Sequence, residues 1–185
     1  LVDDRGRMHP ARVFDALSKS VPDDAVLAVD VGNNTYAFGH YFVSRGEQDV
    51  LMSGYLGSIG FALPAALGAW AAVGHARKIV SISGDGGLGQ YLADFTTAVK
   101  YGMNITHIVL NNDELAKISR EQVGAMRPVW QTSLVNPDFA AYADLCGGSG
   151  FKVDDPTMLL PTLEQALVVT DGPSLVEIST AGRWV

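Results

Sequence analysis

Two short apolar runs, Ile79-Val-Ser-Ile-Ser83 and Ile105-Thr-His-Ile-Val-Leu110, constrain this chain more than anything else in it. Between them Leu88, Tyr91, Leu92, Phe95, Ala98 and Val99 recur at the i, i+3, i+4, i+7 spacing of a helix with one apolar face. Gly102 then stands where a C′ glycine ends such a helix. Strand, helix and strand in that order make a crossover unit, and its right-handedness sets the two strands parallel and side by side. Their carboxyl ends share one edge of the sheet, where open α/β sheets bind ligands. At those two ends the chain carries Gly84-Asp85-Gly86-Gly87 and, 27 positions after Asp85, Asn112 of the pair Asn111-Asn112.

The same alternation runs the length of the chain. His9 to Ser20 reads as an amphipathic helix, and Ala25 to Asp30 as a buried strand ending in the turn Gly32-Asn33-Asn34, which starts a helix through Tyr41. Val50 to Met52 is a short strand, followed by a helix from about Ser58. After the central unit come a short helix over 115–122, a loop with Pro128 and Trp130, and a helix from Asn136-Pro137 with proline at its first position. Strands over 150–153 and 174–178 flank a last helix over 158–169. Six strands alternating with helices predict an α/β fold, a six-stranded, mostly parallel sheet covered on both faces.

Asp85 offers a hard anionic oxygen and Asn112 a neutral carbonyl oxygen, the ligand types of a small cation such as Mg²⁺ that bridges to phosphate. Gly84, Gly86 and Gly87 let main-chain N–H groups approach phosphate oxygens. The rival reading is a dinucleotide fingerprint, because Gly84-Asp-Gly-Gly-Leu-Gly89 satisfies GxGxxG between a strand and a helix. Its strand is the third rather than the first, and Asp85 would face pyrophosphate with like charge. The following strand ends in Asn111-Asn112 rather than in a clear ribose-binding acid. Asp85 is equally suited to cap a helix, a role compatible with ligation.

This pattern resembles the thiamine-diphosphate signature, GDG followed at about this distance by NN. The likeness extends from about His9 to Glu177 and includes Val29-Asp-Val-Gly32, Ser53-Gly-Tyr-Leu-Gly-Ser-Ile-Gly60 and Leu63-Pro-Ala-Ala66. It is to the C-terminal, diphosphate-binding domain of the pyruvate oxidase, acetolactate synthase and decarboxylase group. The resemblance implies thiamine diphosphate and Mg²⁺ as cofactors, with Asp85, Asn112 and the backbone carbonyl of Glu114 on the metal. It implies that Gly32 and Asn33 touch the distal phosphate, that the Gly57 carbonyl accepts from the pyrimidine, and that Ile59 wedges beneath the cofactor. Glu121, nine residues past Asn112, stands where pyruvate oxidases have Glu and acetolactate synthases have Trp. It is therefore a candidate catalytic residue in the substrate pocket and tilts the expectation toward a pyruvate oxidase or dehydrogenase over an acetolactate synthase. Two positions depart from the group: Ala116 where glycine is usual, and Lys117 where an aromatic residue or Met is expected.

The resembling enzymes activate the cofactor with a Glu on a separate N-terminal pyrimidine-binding domain, usually from a neighbouring subunit, and no segment here resembles that domain. Residues 1–7 are accordingly expected to be a severed linker and 8–185 the diphosphate domain of a longer multidomain enzyme, inactive alone, with FAD possible in the remainder. The expected partners are a small 2-oxo acid, that N-terminal domain, the neighbouring subunit and further copies of the chain, in a cytoplasmic homo-oligomer. A non-catalytic binding module is the other class the fold would allow.

Composition excludes other classes. Of 185 residues, 48% are hydrophobic and 18% charged, enough apolar content for one domain with a full core. A net charge of −7 without a Lys/Arg run argues against nucleic acid. The uncharged stretch 56–73 holds Pro64 and has its large side chains at Ile59, Leu63, Leu67 and Trp70, the spacing of a buried helix rather than a membrane span. The single cysteine, Cys146, reads as a buried apolar residue, and the four histidines show no ligand spacing.

Overall fold

The computed structural model describes residues 2–3 and 6–182. Its six strands are β1 (Val26–Val29), β2 (Asp49–Met52), β3 (Ile79–Gly84), β4 (Ile105–Asn111), β5 (Ser149–Val153) and β6 (Ser174–Ser179). They form one sheet in the order β2-β1-β3-β4-β6-β5, and every neighbouring pair is parallel. The four central strands are almost wholly buried, which is why they read as apolar runs rather than alternating ones.

Alternate side chains along each strand enter opposite layers. On one face Leu27, Val29, Ile82 and Ile108 pack against α1 (Pro10–Ser20), α2 (Asn33–Tyr41) and α8 (Leu159–Leu167), with Phe14, Phe38 and Leu163 between. On the other, Ala28, Ile79 and Ile105 meet α3 (Ala62–Val73), while Val109 and Leu175 meet Phe95 and Phe139. Among the described residues no helix is long and apolar enough to cross a membrane. Met8 joins the sheet edge by a parallel bridge to Thr180, so the residues just before α1 lie against the end of β6.

Three boundaries differ from the periodicity. The helix expected from Ser58 begins at Ala62, because Gly57 and Gly60 take φ of 61° and 86°, left-handed values that no helix interior accommodates. The single helix expected over 88–101 is two, α4 (Asp85–Gln90) and α5 (Phe95–Lys100), joined by a tight 3₁₀ turn at Leu92–Asp94. Tyr91 breaks it at φ −125° and ψ 23°, off the helical values, and its ring lies where a side chain on Gly60 would stand, 2.5 Å from that would-be Cβ. The helix expected from Pro137 is α7 (Phe139–Leu145), started by Asp138, whose carboxylate accepts from the Ala141 N–H at 2.9 Å. Over 115–122 the expected short helix is α6 (Ala116–Gly124).

His107 is fully buried on β4, its ring hydrogen-bonded to the Ser81 and Ser83 hydroxyls at 2.8 and 2.9 Å. Burial lowers its pKa from 6.5 to about 3. The unfolded chain therefore binds this proton more readily than the native one, and stability present above about pH 6.5 is lost as pH falls toward 3. His107→Asn should remove a slope of up to about 1.4 kcal/mol per pH unit below that value. Urea denaturation of both proteins at pH 6.5 and 5, compared as a difference so that other groups cancel, reads this directly.

Candidate functional site

The carboxyl ends of β1 to β4 enclose a cleft of about 400 Å³. Each strand delivers one segment to it: Gly32 and Asn33 after β1, Gly57 and Ile59 after β2, Gly84 to Gly87 after β3, and Asn112 after β4. The nine residues predicted for the cofactor thus line one cavity, and Glu114, predicted for the metal through its carbonyl, lines it too.

Asp85 forms the floor and is only 3% exposed. Burial raises its pKa, against the pull of hydrogen bonds from Asn136, Gly86 and Asp113. Its Oδ1 accepts from the Gly86 N–H at 3.0 Å, and its Oδ2 from the Asp113 N–H and the Asn136 amide, both at 2.8 Å. The Asn136 amide nitrogen also lies 3.0 Å from Asn111 Oδ1 and 3.2 Å from Asp113 Oδ1, so more oxygens crowd it than it has hydrogens to give. Asn136, 51 residues from Asp85, lies outside every local motif.

The two asparagines divide their work. Asn111 donates to the buried Glu177 carboxylate at 2.8 Å, and the same carboxylate accepts the Phe139 and Ala140 N–H groups that open α7. Asn112 turns into the cleft, its Oδ1 accepting the Glu114 N–H at 3.0 Å across Asp113, which holds φ at 60°. The Glu114 side chain accepts from the Ser119 hydroxyl, and the residue lines the cleft wall.

Asp30, absent from the predicted set, is the most connected group at this edge. It is 1% exposed, and its Oδ1 accepts from Val31 at 2.7 Å, Gly60 at 2.8 Å and Phe61 at 3.1 Å. Its carbonyl accepts the Asn34 amide at 2.7 Å and the Thr35 hydroxyl at 2.5 Å. Desolvation raises its pKa to about 6, against the three N–H bonds. Its Oδ2 and the Asn33 Oδ1 are buried without a partner among the described residues. An acid directly before Val31-Gly32 at the end of an apolar strand was the available signal.

Glu121 does not line the cleft. It is held by Lys117, which does. Ala116 and Lys117, the two positions that depart from the resembling pattern, both line the wall, and the Lys117 ammonium sits 5.9 Å from the centre of the Tyr36 ring.

These donors fit a cation and a diphosphate together. Among the described residues no group of three or more His, Cys, Asp or Glu converges as a metal cage. The set is one carboxylate, one amide oxygen and one main-chain carbonyl, suited to Mg²⁺, which keeps water and phosphate in its shell. Asp85 and Glu114 would repel a bare diphosphate, and Lys117 is the sole cation among the lining residues. The ligand must bring its own counter-charge.

The family model described as thiamine pyrophosphate enzyme, C-terminal TPP binding domain, matches residues 30–178. The chain is 36% identical over 171 residues to the "putative thiamine pyrophosphate-containing protein YdaP" of Bacillus subtilis, covering 92% of this chain and 29% of that protein. It is 34% identical over 184 residues to the "acetolactate synthase, catabolic" of Raoultella terrigena, covering 96% and 33%. A "sulfoacetaldehyde acetyltransferase" of Castellaniella defragrans is 28% identical over 161 residues, covering 86% and 27%. The chain spans about a third of the length of the curated relatives it matches.

A Cβ on Gly87 would lie 2.0 Å from Asp30 Oδ2. Gly87→Ala should therefore push the α4 turn away from β1 and cost about 1–3 kcal/mol, the usual penalty for overpacking. Urea denaturation measures it, with Gly89→Ala, which meets nothing within 4 Å, as the control.

Proposed function

The chain belongs to the thiamine pyrophosphate enzymes as their C-terminal TPP-binding domain, and from that premise we propose that it holds thiamine diphosphate through Mg²⁺ within a longer enzyme acting on a pyruvate-type 2-oxo acid. The carrying observation is the buried Asp85 carboxylate facing a cleft whose phosphate end has no side-chain cation. Asp85, Asn112 and the Glu114 carbonyl would hold the metal. Gly84, Gly86, Gly87, Gly32 and Asn33 would take the phosphates, the unpartnered Asn33 Oδ1 accepting from water in the metal's shell. Gly57 and Ile59 would orient the remainder of the molecule, a pre-organisation that lowers the entropy cost of reaction. Thiamine diphosphate, when bound, supplies a nucleophilic carbon for the 2-oxo carbonyl and a sink for the electrons left as CO₂ departs.

Two fates for the decarboxylated fragment have separate support. Relatives named acetolactate synthase favour condensation with a second carbonyl compound. Glu121, at the position where the oxidases carry Glu, favours transfer of electrons by position alone, since it stands outside the cleft lining and is held by Lys117. A product assay on the full-length enzyme separates them.

Partners follow from exposed apolar side chains. They lie less on α3, where Leu67, Trp70 and Val73 pack against the core, than in the loops: Tyr55 is 98% exposed, Met126 95% and Trp130 70%. Soluble proteins cover such patches. Tyr55 lies in the same loop as Gly57 and Ile59, so the proposed occupants are the pyrimidine-binding domain and a neighbouring subunit.

Calorimetry should show thiamine diphosphate binding with Mg²⁺ and none in EDTA, and Asp85→Asn should lose at least about 10-fold in affinity, or 1.4 kcal/mol. Equal affinity with and without the metal would sink the metal bridge. A polypeptide limited to these 185 residues should release no CO₂ from pyruvate above the rate of free cofactor. Measured turnover from it would place the activating group within this chain.

A further inference from the structure

The cleft is electrically graded. Its floor is Asp85, 3% exposed. The same lining holds Lys117, nearer solvent with its side chain 28% exposed, and Arg120 follows one turn further along α6. Both cations sit against the Tyr36 ring, at 5.9 and 5.6 Å from its centre. The one acid paired with them is Glu121, held to Lys117 and itself 56% exposed. Of the nearby acids, Glu121 is paired with Lys117 and the Glu114 carboxylate is engaged by the Ser119 hydroxyl, in a chain whose net charge is −7.

We propose that Lys117, flanked by Arg120, is a subsite for a second anionic group on the substrate, so that the 2-oxo acid is a dianion with a carboxylate at its far end. This rests on the reading of the cleft as a thiamine diphosphate site. The carboxylate next to the reacting carbonyl leaves as uncharged CO₂. A fixed cation beside it would stabilise the ground state more than the transition state and slow the reaction. Lys117 therefore serves a group that keeps its charge throughout. A chain-like acid entering carbonyl first, toward the floor, presents its far end to the mouth. The Lys117–Glu121 pair does not block this. An exposed i,i+4 pair contributes little, and an incoming carboxylate with Arg120 alongside can displace Glu121.

The test compares 2-oxoglutarate with 2-oxovalerate, which has a methyl group in place of the distal carboxylate, on the full-length enzyme loaded with Mg²⁺ and thiamine diphosphate. The selectivity ratio, kcat/KM for 2-oxoglutarate over that for 2-oxovalerate, should exceed one. It should fall at least 10-fold in Lys117→Gln, fall less in Arg120→Gln and rise in Glu121→Gln. The same ratio should appear in dissociation constants from calorimetry, which also serves if turnover is slow. A ratio unchanged by Lys117→Gln, or one favouring 2-oxovalerate in the native enzyme, overturns the subsite. Failure of the native enzyme to bind thiamine diphosphate at all would instead overturn the reading beneath it.

Discussion

The strand-end edge of this molecule depends on one buried carboxylate. Asp30 closes β1, and its Oδ1 gathers N–H groups from Gly60 and Phe61, about thirty residues on, while its carbonyl holds Asn34 and Thr35. Its Oδ2 lies against Gly87 so closely that no side chain fits between them. Three of the four segments that surround the cleft are thereby referred to a single group. Burying a charge is unfavourable unless hydrogen bonds repay it, and here the donors are the main chain of the loops that must be placed. The penalty that raises Asp30 to about pKa 6 is offset by the same bonds that shape the cavity.

Asp85 applies the same physics with a different end. Its bonds to Asn136, Gly86 and Asp113 fix its orientation, and burial still leaves its pKa raised. A carboxylate in that state gains from a cation more than an exposed one would, because the charge is already desolvated. In the proposed reading the buried Asp85 would take a metal, and Lys117 with Arg120 would take an anion. Such a separation would let one cavity hold a magnesium diphosphate and a charged substrate without setting like charges side by side.

Much of this was legible in the residues. Strand and helix alternation set the parallel sheet, and the matched ends of β3 and β4 set Asp85 and Asn112 at one edge. The roles of Asn111 and Asn112 were not separable by local pattern, because Asn111 is claimed by Glu177, 66 residues away. Asn136 was hidden for the same reason, and Asp30 was marked by its place at a strand end while its role was not, because its partners Gly60 and Phe61 are distant in sequence. Glu121 was legible as a position but not as a contact, since only the turn of α6 shows it held by Lys117.

The sequence by itself determined the layer architecture and which residues meet at the strand ends, because both follow from local hydrophobic period, glycine placement and crossover handedness. Tertiary structure decided where helices break, which acid organises the loops, and which charges share the cleft. Those outcomes rest on long-range hydrogen bonds and close packing, such as Tyr91 over Gly60 and Asp30 against Gly87, whose energies exist only once distant segments have met.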